Sequence, residues 1–154
     1  MEKNVKLPGN TKWFKVDGVQ KFGTKNFVPG NSVYGEQLHS DSINEYRIWD
    51  PHRSKLAASL LKGIGSVPFH EGTNVLYLGA STGTTASHIS DIISESGTLF
   101  CVEISQRVSR DFIDNVASLR SNIITIIADA RDIDSYTSIF KIIDCVYCDI
   151  AQPD

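Results

Sequence analysis

From residue 74 onward, short apolar runs alternate with segments of helical period, and the first three runs are each followed closely by glycine or a carboxylate. That pattern permits few folds. Residues 74–78, 98–104, 122–128 and 142–150 read as buried strands, with helices over 84–94 and 106–119 and a short helix near 134–141 between them. In the helix over 106–119, Val108, Phe112, Val116 and Leu119 fall at i, i+4, i+8 and i+11 and form one apolar stripe. Strands joined through helices by loops of a few residues make a parallel sheet with right-handed crossovers. The expected class is therefore α/β.

The first third of the chain has a different period. Residues 12–16 and 19–22 read as strands joined by a tight Asp17-Gly18 turn, and two further strand segments are expected near 25–28 and 32–34, around Pro29-Gly30-Asn31. This predicts a small N-terminal antiparallel β module over residues 1–45 and an α/β domain over 46–154. Asp50 as N-cap and Pro51 at the first helical position start a helix whose stripe is Leu56, Ala57, Leu60, Leu61 and Ile64, ending near Gly63 and Gly65.

No stretch of about 18 apolar residues runs without a charge, so no segment is expected to span a bilayer and no membrane partner is expected. The N-terminal residues lack the apolar core of a secretory signal, which makes cytoplasmic residence the simplest expectation. Cys101, Cys145 and Cys148 are odd in number and lie in strand-like stretches, so they read as reduced core thiols. The C-x-x-C of Cys145 and Cys148 sits inside a strand, whereas a redox or metal pair favours a turn or helix start, so no metal site is expected. Residues 1–62 carry 10 Lys/Arg against 6 Asp/Glu, and residues 63–154 carry 5 against 12. A mildly basic first segment is compatible with a polyanion and equally with solvated lysines on sheet edges.

Open α/β sheets bind ligands beyond the carboxyl ends of their strands. After the first parallel strand comes Gly79-Ala80-Ser81-Thr82-Gly83-Thr84-Thr85, where two glycines allow a tight turn and the next helix presents unpaired N–H groups. Ser81 replaces the second glycine of a dinucleotide fingerprint, and no lysine follows Gly83 as a P-loop requires, so the loop suits a nucleoside without phosphates. Glu103, 20 residues beyond Gly83, can accept from both ribose hydroxyls. Asp129 can accept from an exocyclic amine while Ala130 leaves room for a flat ring, and Asp149-Ile150-Ala151-Gln152 follows the fourth strand. Each acidic residue alone has an ordinary reading as a cap; their recurrence at successive strand ends is what points to a site.

The run Val75 to His88, with Trp49-Asp50-Pro51-His52-Arg53-Ser54-Lys55-Leu56-Ala57-Ala58 before it and Asp149-Ile150-Ala151-Gln152-Pro153 after it, resembles the fibrillarin family, and more specifically its archaeal type, from about Gly30 onward. The resemblance implies a Rossmann-like S-adenosylmethionine-dependent methyltransferase sheet that adds methyl groups to RNA 2'-hydroxyls. It implies action inside a C/D-box guide ribonucleoprotein on pre-rRNA and tRNA, with guide RNA and a Nop-domain scaffold protein as partners. Carried over by motif, cofactor contacts would fall on Thr84, Thr85, Glu103, Ile104, Asp129, Ala130 and Asp149 through Gln152, beside the Gly79, Ala80 and Gly83 of the loop. Lys55 and Asp149 match two members of the family's Lys-Asp-Lys catalytic group.

The family's fold continues through three more strands, and its second catalytic lysine follows the fourth. The expectation is thus a sheet truncated after that strand, poorly stable alone and weakly active, with an exposed parallel edge. The alternative is a catalytically inactive nucleoside-binding or scaffold-docking module. A methyltransferase acting on a small molecule or a protein is a third reading, since fold does not set substrate.

Overall fold

The computed structural model describes residues 8–140 and 142–151. β1 (Thr11–Val16) and β2 (Val19–Lys25) form a hairpin through Asp17 and Gly18, both at positive φ, as the twist of a two-residue hairpin turn demands. β3 (Leu38–Ser40) and β4 (Glu45–Ile48) complete an antiparallel sheet of order β1-β2-β4-β3. The strands expected near 25–28 and 32–34 are absent beyond Lys25, the last residue of β2; residues 26–34 form a loop. Side-chain acceptors there take the backbone N–H groups that a neighbouring strand would otherwise take. Asn26 accepts from Val28, Glu45 from Gly30, and Glu36 from Val33 and Tyr34. Residue 45, expected to close the module, is the first residue of β4.

α1 (Lys55–Leu61) starts later than expected. Asp50 folds into a local turn by accepting from the His52 N–H, and Ser54 is the N-cap, its Oγ accepting from the Ala57 N–H. Leu56, Ala57 and Leu60 are buried, whereas Ile64 lies beyond the helix and is exposed.

The second sheet contains β5 (Asn74–Leu78), β6 (Thr98–Glu103), β7 (Ile123–Ile127) and β8 (Cys145–Cys148), all parallel, in the order β7-β6-β5-β8. The crossovers are α2 (Thr84–Ile93) and α3 (Gln106–Asn115). After β7 the chain returns to the far side of β5, so a crevice opens at the carboxyl end of β5, where ligands bind in such sheets. The stripe of α3 holds through Phe112 and Val116, both buried; Val116 leaves helical geometry, and Leu119 ends exposed in a separate 3-10 turn, Ala117–Leu119. The helix expected near 134–141 is two 3-10 turns, Ile133–Ser135 and Thr137–Ile139.

All three cysteines are free, but only Cys101 is a core residue. Successive residues of β8 face opposite sides of the sheet and the strand is an edge, so Cys145 is half-buried while Cys148 is exposed on the other face. Among the described residues no group of three or more His, Cys, Asp or Glu side chains is placed to hold a metal ion, and no helix is long and apolar enough to cross a membrane.

One apolar cluster spans the two sheets, with Phe22 and Trp49 from the N-terminal part packed against Leu60, Ile89, Leu99 and Phe112. Through the same interface runs a buried ionic network. Arg47 of β4 donates from Nε to Glu36 at 2.6 Å, from Nη1 to Asp91 of α2 at 3.0 Å, and from Nη2 to Ser87 Oγ at 2.8 Å. Arg120 approaches the other Asp91 oxygen at 2.6 Å, which also accepts the Phe27 N–H. Thr24 Oγ1 donates to Asp91 at 2.6 Å, so the same hydroxyl must accept from His88 Nδ1, 2.7 Å away. His88 Nε2 is then the acceptor for Tyr34, also at 2.7 Å, which fixes a neutral tautomer assigned from this network.

His88 is fully buried and stacked on Trp49. Burial first, then the nearby Arg47 and Arg120 guanidiniums, hold its pKa well below the ordinary histidine value. An unfolded histidine binds a proton below about pH 6.5 and the folded one does not, so this residue's contribution is intact above that pH and lost as pH falls. Denaturant unfolding at pH 5.5 and 7.5 is expected to show about 1 kcal/mol less stability at the lower pH from this residue, a difference absent in His88→Gln. Equal pH dependence in both proteins would contradict the assignment.

Candidate active site

The carboxyl ends of β5, β6, β7 and β8 border a single cleft of about 680 Å³. Twelve of the residues singled out from sequence line it: Lys55, Gly79, Ala80, Thr84, Thr85, Glu103, Ile104, Asp129, Ala130, Asp149, Ile150 and Ala151. Gln152 lies outside the described residues. Gly83 is not in the wall. It sits at φ +94° as the N-cap of α2, with its back against Phe112 and Val116, so it shapes the loop from behind.

Gly79 also has a purpose the sequence does not reveal. At φ +82°, a Cβ there would lie 2.9 Å from the Asp149 carbonyl oxygen, so glycine is what lets the ends of β5 and β8 touch. The register is held by the Asp149 N–H donating to Leu78 O at 3.0 Å. Ser81, at φ +52°, is a non-glycine residue in left-handed geometry at the crown of the loop, a local strain held in place by its surroundings.

Glu103 ties that loop to the next helix: one carboxylate oxygen accepts the Ser81 N–H and the other the Ser105 N–H, each at 3.0 Å. Each oxygen retains acceptor capacity toward the cleft. Asp129 is differently engaged. Its carboxylate is gripped by the Arg131 guanidinium and accepts the Arg131 N–H, and the hydrogen bond from that side chain, first among the causes, brings its pKa down to about 2. The carboxylate is thus a firm acceptor at neutral pH. Thr85 is buried, and its hydroxyl donates to Ser54 Oγ at 2.9 Å, joining the cap of α1 to the first turn of α2.

The outcome of that junction is the position of Lys55. Its Nζ lies 2.5 Å from Asp149 Oδ1, an ion pair between residues 94 positions apart in the chain. The lysine side chain is 76% exposed and the aspartate 20%, so the pair stands at the rim, accessible from solvent and from the cleft together. An exposed ion pair adds little stability, which leaves its geometry better explained by chemistry than by folding.

Sequence reasoning left several lining residues without a role. Arg53, Tyr77, Ser81, Thr82 and Arg131 all border the cleft. Ser81 and Thr82 lie in the recognised loop and Arg53 two positions before Lys55, so proximity in the chain was a usable signal. Tyr77 reads simply as an apolar strand residue, and burial raises its pKa. Arg131 gives no signal, because its relation to Asp129 depends on how the chain turns after β7.

The sequence profile of the fibrillarin family matches residues 4–154, extending the resemblance well before Gly30. A relative from Pyrobaculum aerophilum, named fibrillarin-like rRNA/tRNA 2'-O-methyltransferase, is 49% identical over 138 residues, covering 89% of this chain and 59% of the relative. This chain therefore spans about three fifths of that relative's length. The crystal structure of Aeropyrum pernix fibrillarin with natively bound S-adenosyl-L-methionine is 43% identical, with a TM-score of 0.92 over 96% of this chain and 64% of that one. The fibrillarin/Nop5p complex matches at 34% identity and a TM-score of 0.76, over 97% of this chain and 65% of that one. With the cleft, the loop and the whole described fold in agreement, the chain belongs to the fibrillarin family.

Proposed function

We propose that this protein is an S-adenosylmethionine-dependent RNA 2'-O-methyltransferase that works on pre-rRNA and tRNA within a guide ribonucleoprotein. The observation that carries the reading is the Lys55–Asp149 pair on the rim of a nucleoside-sized cleft. Thr84, Thr85, Glu103, Ile104, Asp129, Ala130 and Ile150 to Gln152 are the residues to hold the cofactor, with Glu103 the acceptor for ribose hydroxyls and Asp129 for an amine. The loop's lack of a lysine after Gly83 suits a nucleoside without phosphates better than a phosphate-bearing one. The cofactor's contribution is an electrophilic methyl group on a sulfonium.

Lys55 and Asp149 supply two parts of the remaining chemistry. A ribose 2'-hydroxyl is a poor nucleophile at neutral pH, so Asp149 orients it and accepts its proton, while the Lys55 ammonium stabilises the developing oxyanion. Fixing the nucleophile beside the methyl group is the larger effect, worth up to about 7–11 kcal/mol. The archaeal relative's name supports RNA as substrate, and the fibrillarin/Nop5p complex supports a Nop-domain scaffold as partner; the guide RNA that would select the nucleotide is part of the same proposal. Cytoplasmic residence fits three free cysteines.

Lys55→Ala is expected to lower RNA methylation about 100-fold while S-adenosylmethionine affinity, read by calorimetry, stays within twofold. Lys55 is exposed, so the fold should tolerate the change. Equal loss of turnover and cofactor binding would instead make Lys55 a cofactor or structural residue.

A further inference from the structure

A second cleft, of about 600 Å³, adjoins the first, and Arg53 lines both. Its walls come from the start of β2, the Tyr34–Gln37 stretch and the loop that leads into α1. Nothing in the methyl-transfer reading uses it.

Two features of this cleft suit a strand of nucleic acid. Arg53 is 60% exposed and its nearest carboxylate, Asp50, stands 3.9 Å away, so the guanidinium is only loosely engaged and keeps a planar fork available for a phosphate. The guanidinium lies 5.7 Å from the centre of the Tyr34 ring, an arrangement that limits its conformational freedom. Arg53 also stands two residues before Lys55, so whatever it grips must lie beside the reacting group.

We infer that this cleft, with Arg53 at its border, binds the sugar-phosphate backbone of the substrate RNA next to the ribose that is methylated. The inference rests on the RNA methyltransferase reading and extends it to a second site. Arg53 anchors the phosphodiester flanking the target nucleotide, and the strand continues over the face formed by Lys21 and Tyr34.

The test uses the protein assembled with a Nop-domain scaffold and guide RNA, on target strands with natural linkages or one uncharged methylphosphonate on either side of the target ribose. Arg53→Ala is expected to lower kcat/KM for RNA about tenfold, mainly through KM, with cofactor affinity and melting temperature unchanged. Arg53→Lys should recover part of the loss. In the unmodified protein, one uncharged linkage should cost a similar factor; in Arg53→Ala the same linkage should cost nothing more. An unchanged KM in Arg53→Ala, full additivity of the two changes, or a loss traced to weaker scaffold binding would each overturn the inference while leaving the methyltransferase reading intact. An unmodified assembly that transfers no methyl group would remove both.

Discussion

Asp91→Ala is expected to lower folding stability by about 3–5 kcal/mol, although the residue lies on the far side of α2 from the reacting groups. The carboxylate is fully buried and accepts from Arg47, Arg120, Thr24 and the Phe27 N–H. Its removal leaves two guanidiniums buried with one remaining carboxylate, Glu36, which touches only Arg47. Glu36 cannot compensate. Its own pKa already lies below the ordinary range, pulled there against burial by Arg47 and by the Tyr34 and Val33 N–H groups. For a domain of this size the loss corresponds to roughly 6–20 °C in melting temperature. Replacing the whole network with apolar residues of similar volume would be far less damaging, because the penalty comes from stranded charge and not from the loss of attraction. A melting temperature within 2 °C of the unmodified protein would show that water reaches the network.

That network also explains how an N-terminal β sheet comes to govern a site built on another sheet. Asp91, His88 and Ser87 lie on the face of α2 that meets Arg47 and Thr24, while Thr84 and Thr85 at the same helix's start border the cleft. Thr85 then holds the cap of α1, which carries Lys55 to Asp149. Helix α2 is thus a rigid link between the antiparallel sheet and the reacting pair.

Little of this linkage can be read from the chain. The parallel strands and long helices are legible because their apolar periods are long and their ends carry glycine and carboxylates. The strands β3 and β4 are not, being three and four residues long, and Pro29-Gly30-Asn31 offers a convincing but misleading turn nearby. Asp50 looks like a helix cap because Pro51 follows it, yet its carboxylate closes a turn one step earlier and leaves the cap to Ser54. Most of the cleft was readable because strand ends converge by topology, so a residue's place in the sheet predicts its place in the site. Arg47 and Asp91 were invisible for the opposite reason: a charged residue in a sequence reads as exposed, and only the fold reveals two of them fully buried against each other.

The glycines of the loop show how a correct position can hide a different cause, and Gly83→Ala makes the difference measurable. The sequence suggests glycine there for approach to a ligand, but an added Cβ would meet protein: it would lie within 2.5 Å of Phe112 Cε2 and 3.0 Å of Val116 Cγ2. Both partners are buried, so neither can retreat without disturbing α3. The backbone, at φ +94°, is unfavourable for alanine as well. Conformational strain of about 1–3 kcal/mol and overpacking of about 1–3 kcal/mol together predict a loss of roughly 2–6 kcal/mol. Gly30→Ala is the control, since Gly30 has φ +83° but open space around its Cβ position, so that variant should show the strain alone. Urea unfolding of the two variants separates the contributions. Equal losses would mean that α3 yields and that glycine is required at 83 only for its backbone conformation. If Gly83→Ala is the more damaging, its cofactor affinity should fall too, because the Gly83 N–H closes the loop onto Ala80 O and any shift of Gly83 moves the start of α2 that borders the cleft.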